Sequence, residues 1–291
     1  MSWEPLASET LGVRSMALRV GRVVIDPSAS LAPRRFGLPP HPREWEALKE
    51  AAERIVRAVE RSEVVVITHY HRDHYNPGWL YDYSIYDGKV LLVKDYKRNI
   101  NVSQKIRAYK FLKALRGLNV KVEVADGKSF EEYGLEFSPP LVHGDPKLGY
   151  VLALKVGNVL YTSDVQGGDE EAKRWISSKE FEELIIDGPP IYLKRKKYDV
   201  EGFRNFIKKF KRVTVDHHPA REKGWREALG ATRAYSDVLG VEEALLEAER
   251  RRLYEEEPVE EGWKEMSFRE MRRLYFPEKA INSDGDHDTG D

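Results

Sequence analysis

Apolar positions along the chain fall into two rhythms. Short β-branched runs, VVVIT at 64–68 and KVLLVK at 89–94, predict buried strands. Between them lie stretches in which apolar residues recur every three or four positions, the period of a helix with one face turned inward. Residues 13–20 and 22–26 predict two short strands turning at Gly21. A Pro-rich loop, LAPRRFGLPPHP, follows, and Pro42 opens a helix with Trp45, Leu48, Ile55, Val56 and Val59 on one face. A second helix is expected over 102–116, with Ile106, Tyr109, Leu112 and Leu115 aligned. Further strands are expected at 120–124, 139–142, 150–156, 158–162, 183–187 and 212–216, and helices at 169–181 and 200–210. Strands alternate with helices and hairpins interrupt the alternation. That pattern predicts an α/β fold whose sheets carry helices on their outer faces.

From about residue 220 the chain turns helical and highly charged, as in VEEALLEAERRRLYEEE. One domain is therefore expected over 1–233, with a charged helical extension over 234–280. Its apolar stripe of Leu239, Leu245, Leu246 and Leu253 must pack somewhere, and the domain's own sheets are the expected place. A subunit contact is the alternative. Residues 281–291, INSDGDHDTGD, offer almost nothing to bury and are expected to be disordered. The chain carries no internal sequence repeat.

Composition narrows the chemistry. Charged residues make up 33% of the 291, yet they sum to a net charge of −1, so nothing global attracts nucleic acid or an anionic membrane. The chain has no cysteine, which excludes disulfides, thiolate zinc fingers, iron–sulfur clusters and a thiol nucleophile. Any metal must sit on histidine and carboxylate ligands. Abundant Glu, Lys and Arg without Cys match a heat-adapted cytoplasmic protein. The opening MSWEPLASETLG lacks the features of a signal peptide, and the apolar runs are too short to span a bilayer. A cytoplasmic protein without membrane attachment is expected.

Three of the eight histidines stand within VVVITHYHRDHYNPG, directly after a strand. On extended backbone, side chains two apart share a side, so His69 and His71 can face one metal. After a turn, Asp73 and His74 can face a second. A solvated polar loop is the plain alternative, but further donors stand in the same kind of place. His143 follows PPLV, Asp164 follows VLYTS, Asp187 ends a strand, and His217 and His218 follow RVTVD. Open α/β sheets gather their ligands outside the carboxyl ends of strands. The strand register favours His217 as a ligand, with His218 then pointing away; a one-residue slip would reverse them. Asp187 is a second supporting or alternative donor. His41, between prolines, and His287, in the tail, have no strand-end context and are left out.

THYHRDH, LVHGD, YTSDVQG and VDHHPAR resemble, in this order, the motif series of the metallo-β-lactamase fold superfamily. Asp26, after the second strand, matches the first motif. The likeness runs over about residues 10–220 and is greatest to an archaeal branch. It implies a four-layer αβ/βα sandwich with the site at the edge where two sheets meet. It also implies that His69, His71 and His143 hold one divalent metal and that Asp73, His74 and the late histidine hold another. Asp164 would bridge the two, and Asp26 would support the loop without binding metal.

Two such metals can activate water near neutral pH and stabilise attacking and leaving oxygens. The expectation is thus a hydrolase using a hydroxide bridged between two divalent ions, with Asp73 both ligating and passing a proton. Zinc is the default for such ligands, and manganese or iron also fit. Two basic stretches, KDYKRN with Lys94, Lys97 and Arg98, and Lys194–Lys197, suit a phosphodiester or other anionic ester, small or part of a nucleic acid. Tyr96, Tyr192 and Tyr198 could stack on bases. The alternatives are a metal-binding structural or regulatory protein without turnover and a di-iron redox protein of the same fold.

Overall fold

The computed structural model describes residues 2–193, 198–231 and 233–277. The chain opens with β1 (Trp3–Ser8), β2 (Met16–Val20) and β3 (Val23–Ile25), followed by α1 (Pro42–Glu60), β4 (Val64–Ile67), β5 (Val90–Val93), α2 (Val102–Ala114) and β6 (Lys121–Val124). These strands form one six-stranded sheet in chain order. Its first two pairings are antiparallel and the next three parallel. The second half repeats the plan. β7 (Ser129–Phe130) and β8 (Leu135–Phe137) precede a small hairpin, β9 (Leu141–Val142) and β10 (Tyr150–Val151). Then come β11 (Leu154–Val156), β12 (Val159–Tyr161), α3 (Glu170–Ser177), β13 (Glu183–Asp187), α4 (Val200–Ile207) and β14 (Val213–Asp216). The second six-stranded sheet runs β14-β13-β12-β11-β8-β7, with the β12, β13 and β14 pairings parallel. After it follow α5 (Trp225–Leu229), α6 (Tyr235–Leu239), α7 (Arg250–Glu256) and α8 (Phe268–Tyr275).

The layers follow from alternation. In β4, Val64 and Val66 join the cluster between the sheets, while Val65 and Ile67 join the cluster under α1 and α2. In β13, Ile185 faces the other sheet, and Leu184 and Ile186 face the helical layer of Phe203, Phe206, Trp225 and Leu229. A strand buried on both faces reads as an unbroken apolar run. Each such side chain contributes roughly 1.5–3 kcal/mol by leaving water. The result is the expected αβ/βα sandwich.

Local sequence sets α1 closely. His41 caps it, Pro42 starts it with a pre-set φ, and Glu44 returns a bond to the His41 amide. Trp45, Leu48, Ile55 and Val59 are buried, as expected, and Val56 is half-buried.

Several expectations fail for identifiable reasons. In α2, Leu112 packs against the core and Leu115, capping its end, is buried as expected, but Ile106 and Tyr109 are 53% and 61% exposed, and the rest of the buried face is Gln104, Arg107, Ala108 and Phe111. Two polar residues lie on that face because they hold the motif loop. Gln104 Oε1 accepts from the Tyr70 amide at 3.0 Å, and Arg107 donates to the Tyr70 carbonyl at 3.4 Å. The first sheet also gains β1 and the second gains β7 and β8, none of which the apolar pattern announced. In the extension, Leu246 and Leu253 are buried but Leu239 is exposed. The basic run 194–197, and the tail 281–291 with His287, lie outside the described residues. No described helix is long and apolar enough to cross a membrane.

Candidate metal centre

The carboxyl ends of the parallel strands from both sheets meet at one place. Asp26 follows β3, the His69–His74 loop follows β4, Asp164 follows β12, Asp187 ends β13, and His217 and His218 follow β14. His143 arrives from the end of β9. In the motif loop, the amides of His74 and Tyr75 donate to the His71 carbonyl, a turn that carries Asp73 and His74 round beside His69 and His71.

Asp164 lies at the middle of the group. Its Oδ2 is 3.5 Å from His69 Nε2 and 3.1 Å from His143 Nε2. Its Oδ1 is 3.0 Å from His74 Nε2 and 3.3 Å from His217 Nε2. His71 packs edge-on to both His69 and His143, with ring centroids 4.7 Å away in each case. Asp73 Oδ2 stands 3.8 Å from His217 Nε2. Two sets of donor atoms gather closely enough to share an ion: His69, His71, His143 and Asp164, and Asp73, His74 and His217. Two further sets, Asp164 with His217 and His218, and Asp26 with His69 and His74, overlap them.

Carboxylates stand behind the imidazoles. His74 Nδ1 lies 2.8 Å from Asp26 Oδ2, His217 Nδ1 lies 2.8 Å from Glu9 Oε2, and His218 Nδ1 lies 3.0 Å from Asp187 Oδ2. A partner on one ring nitrogen fixes the ring and directs the other nitrogen. Asp26 also accepts from the Thr68 amide, the Thr68 hydroxyl and the Tyr161 hydroxyl, and so ties the two sheets together behind the site. Despite its proximity to Asp164 Oδ1, His74 Nε2 has no hydrogen-bond partner, nor has that oxygen, nor His69 Nε2. Buried polar atoms rarely stay unpaired. Imidazole nitrogens and carboxylate oxygens crowded together in a buried place, several of them without a hydrogen-bond partner, are the donor set a divalent cation takes, so the residues present fit a metal.

The electrostatics point the same way. Burial, and then the neighbouring His74, push His69 down to about 4. Burial likewise drives His71 and His218 well below the ordinary range. These imidazoles are neutral, as ligands must be. Burial would lower His74 and His217 too, but Asp164 with Asp26, and Glu9 with Asp164, outweigh it. His74 rises well above its ordinary value and His217 rises to about 10. Asp164 Oδ1 thus favours a positive charge beside it, a proton on these rings that must leave for either of them to hold a metal ion. Burial opposes ionisation of Asp73, yet His74, His217 and Arg221 hold its carboxyl below the usual range.

The strand register does not separate the two late histidines. β14 stops at Asp216, and His217 takes φ +72°, which breaks the alternation. His218 therefore does not point away: its Nε2 lies 3.8 Å from Asp164 Oδ2. Asp26, Ser163, Gln166 and His217 are four of six described non-glycine residues with positive φ, and all four are at these strand ends. Such strain, about 1–3 kcal/mol per residue, concentrates at functional sites. Gly144 beside His143 has φ +59°, and a Cβ there would collide with the Gln166 side chain.

Of the basic stretch KDYKRN, none of Lys94, Lys97 and Arg98 joins the site. Lys94 is buried, with Nζ 2.6 Å from Asp126. Tyr192 does reach the site, where its hydroxyl accepts from Arg221 at 3.4 Å. Sequence reasoning missed Glu9 and Arg221. Arg221 Nε donates to Glu9 at 2.7 Å, and its Nη2 lies 3.3 Å from Asp73. Arg221 stands four positions after His217, so a turn after that histidine would have brought it back to the cluster. Glu9 lies in a stretch with no pattern of its own.

No family model matches the sequence. The chain is 37% identical over 302 aligned residues to a UPF0282 protein of Korarchaeum cryptofilum, a match covering 94% of this chain and 98% of that relative. It is 40% identical to a UPF0282 protein of Sulfurisphaera tokodaii, with 88% and 94% covered. It is 38% identical to another from Pyrococcus furiosus, with 86% and 91% covered. Similar solved structures include a diphosphatase from the PhnP family, at TM-score 0.45 and 16% identity over 74% of this chain and 85% of that one. Human tRNase Z, short form, is similar at TM-score 0.42 and 13% identity, over 75% and 92%. The metallo-β-lactamase fold protein YhfI from Bacillus subtilis gives TM-score 0.41 and 12% identity, over 69% and 88%.

Proposed function

The chain belongs to the UPF0282 family, and from that premise we propose that it is a hydrolase dependent on two divalent cations, acting on a phosphodiester or another anionic ester. The observation that carries this reading is the placement of Asp164, with one carboxylate oxygen toward His69 and His143 and the other toward His74 and His217. In the proposal His69, His71 and His143 hold one ion, Asp73, His74 and His217 hold the other, and Asp164 serves both. Divalent ions held there would supply Lewis acidity and a nucleophile from water near neutral pH, with zinc the metal best suited to the donors.

The chain's own residues then do the positioning. Asp26 and Glu9 hold His74 and His217 by Nδ1, so that Nε2 faces inward. Asp187 holds His218 in the same way, which makes His218 the alternative to His217. Arg221, fixed by Glu9, presents a guanidinium 3.3 Å from Asp73 and can meet a developing negative charge on the ester. A carboxyl kept below its ordinary range suits Asp73 to permanent anionic ligation more than to carrying a proton near neutral pH.

Elemental analysis of the purified protein, paired with hydrolysis of an aryl phosphodiester and an aryl carboxylic ester, tests the proposal. About two equivalents of zinc or a similar ion, with turnover that chelation abolishes, are expected. Full metal content without turnover of any ester would favour a structural or regulatory metal protein. A visible iron absorbance would favour a redox role.

A further inference from the structure

Beside the cluster opens a cavity of about 520 Å³, within the size range of small-molecule sites. Its wall is of two kinds. His71, Asp164 and His218 form the part next to the cluster, and Leu31, Leu48, Trp79 and Phe268 form an apolar part. Leu31 and Leu48 belong to the packed layer around Trp45 outside the first sheet, and Phe268, from α8, rests against the Trp45 ring at 4.9 Å. Four arginines also line the cavity, Arg14, Arg72, Arg221 and Arg272, the guanidinium groups of Arg14 and Arg221 being paired with Glu247 and Glu9. Those of Arg72 and Arg272 lie 4.5 and 4.2 Å from the centroid of Trp79. Among the described lining residues the carboxylates are Asp73 and Asp164, and both belong to the metal cluster.

We propose that this cavity binds a small anionic ester bearing an apolar group, with the ester at the cluster and the apolar group against Leu31, Leu48 and Phe268. The C-terminal segment, through Phe268 and Arg272, is then part of the substrate wall. This deepens the hydrolase reading and rests on it for the reacting end. A polar, metal-binding end that continues into a wall of Leu31, Leu48 and Phe268 fits an anion attached to a hydrophobic body. A nucleic-acid strand needs a positive track leading away from the site. Among the described residues of the stretch KDYKRN, Lys94 is buried against Asp126, and neither it nor Lys97 nor Arg98 lines this cavity.

The test is titration of the full chain with naphthyl phosphate, inorganic phosphate and a short single-stranded oligonucleotide, followed by calorimetry and by melting temperature. Naphthyl phosphate should bind at least about tenfold more tightly than inorganic phosphate. Phe268→Ala should erase that preference and leave phosphate affinity unchanged. Should that variant fail to fold, Pro33→Glu, in a half-buried loop on the same wall, should also erase it. Equal affinity for the two phosphates, or a preference that survives a folded variant, overturns the proposal. Tighter binding of the oligonucleotide overturns the small-ligand class but leaves the hydrolase reading intact. A preference for naphthyl phosphate, with no turnover of it or of any other ester, supports the ligand class and sinks the hydrolase reading.

Discussion

Glu9 Oε2 lies 2.8 Å from His217 Nδ1, although one residue follows the first strand and the other follows the last. The other oxygen of the same carboxylate accepts from Arg221 Nε. One anion thus orients an imidazole toward Asp164 and a guanidinium toward Asp73. Glu9→Gln keeps the size and removes the charge. It should weaken metal binding by about ten- to a hundredfold, the usual effect of losing such a supporting partner. Competition with a chromogenic chelator reads this directly, and an unchanged affinity would remove Glu9 from the support of the centre.

His41 is a contrast within the same residue type. It is buried, but its Nδ1 accepts from the Arg43 amide at the start of α1 and its Nε2 lies 3.0 Å from the Glu257 carbonyl. Its work is to cap a helix and fasten the C-terminal segment. His41→Ala should cost about 1 kcal/mol in urea unfolding while metal content stays that of the unaltered protein. A loss of bound metal in this variant would contradict the assignment.

How much of this the sequence discloses depends on burial. VVVI of β4 is legible because both its faces are buried, and α1 because cap, proline and apolar face agree. The cluster residues are legible because each stands at a strand end. β1 is not: WEPLAS holds a glutamate and a proline, lies at the sheet edge, and shifts register between Pro5 and Ala7. β7 and β8 span two and three residues, too short to show a period. The buried face of α2 is disguised by Gln104 and Arg107. The late histidines defeat a register argument because a single positive φ at His217 turns both rings toward Asp164. Glu9 and Arg221 owe their place to tertiary contacts that no local pattern encodes.

Acid should loosen the protein through Glu247. Burial alone would raise this carboxyl, but Arg14, which donates to it twice at 2.6 and 2.7 Å, outweighs burial and holds it at about 2. A carboxyl at about 2 when folded and 4.5 when free contributes roughly 3 kcal/mol. That stability is fully present above the free value and is lost as pH falls from there toward the folded one. Unfolding free energies at neutral pH and at about pH 3 should therefore differ less in Glu247→Gln than in the unaltered protein. Equal acid sensitivity in both would mean that another group controls the acid limb.

Arg250 decides whether the C-terminal segment can be detached. Arg250, wholly buried, makes two bonds to the Glu44 carboxylate at 2.8 Å and donates at 3.0 Å to the carbonyls of Ala32 and Leu38. Glu44 is buried as well and caps α1, so removing the guanidinium would strand a charge inside the protein. Arg250→Met should cost roughly 3–5 kcal/mol, because breaking a buried pair leaves an uncompensated ion. Adding Glu44→Gln should recover part of that loss. By the same argument a chain ending at residue 233 loses Arg250 together with Trp263, Met271 and Phe276, which pack into the cluster around Trp45. The full chain should melt in a single transition seen alike by calorimetry and circular dichroism. The shortened chain should fail to fold or should melt far lower. A shortened chain with undiminished stability would make the segment an independent appendage and leave its helices without a structural role in the domain.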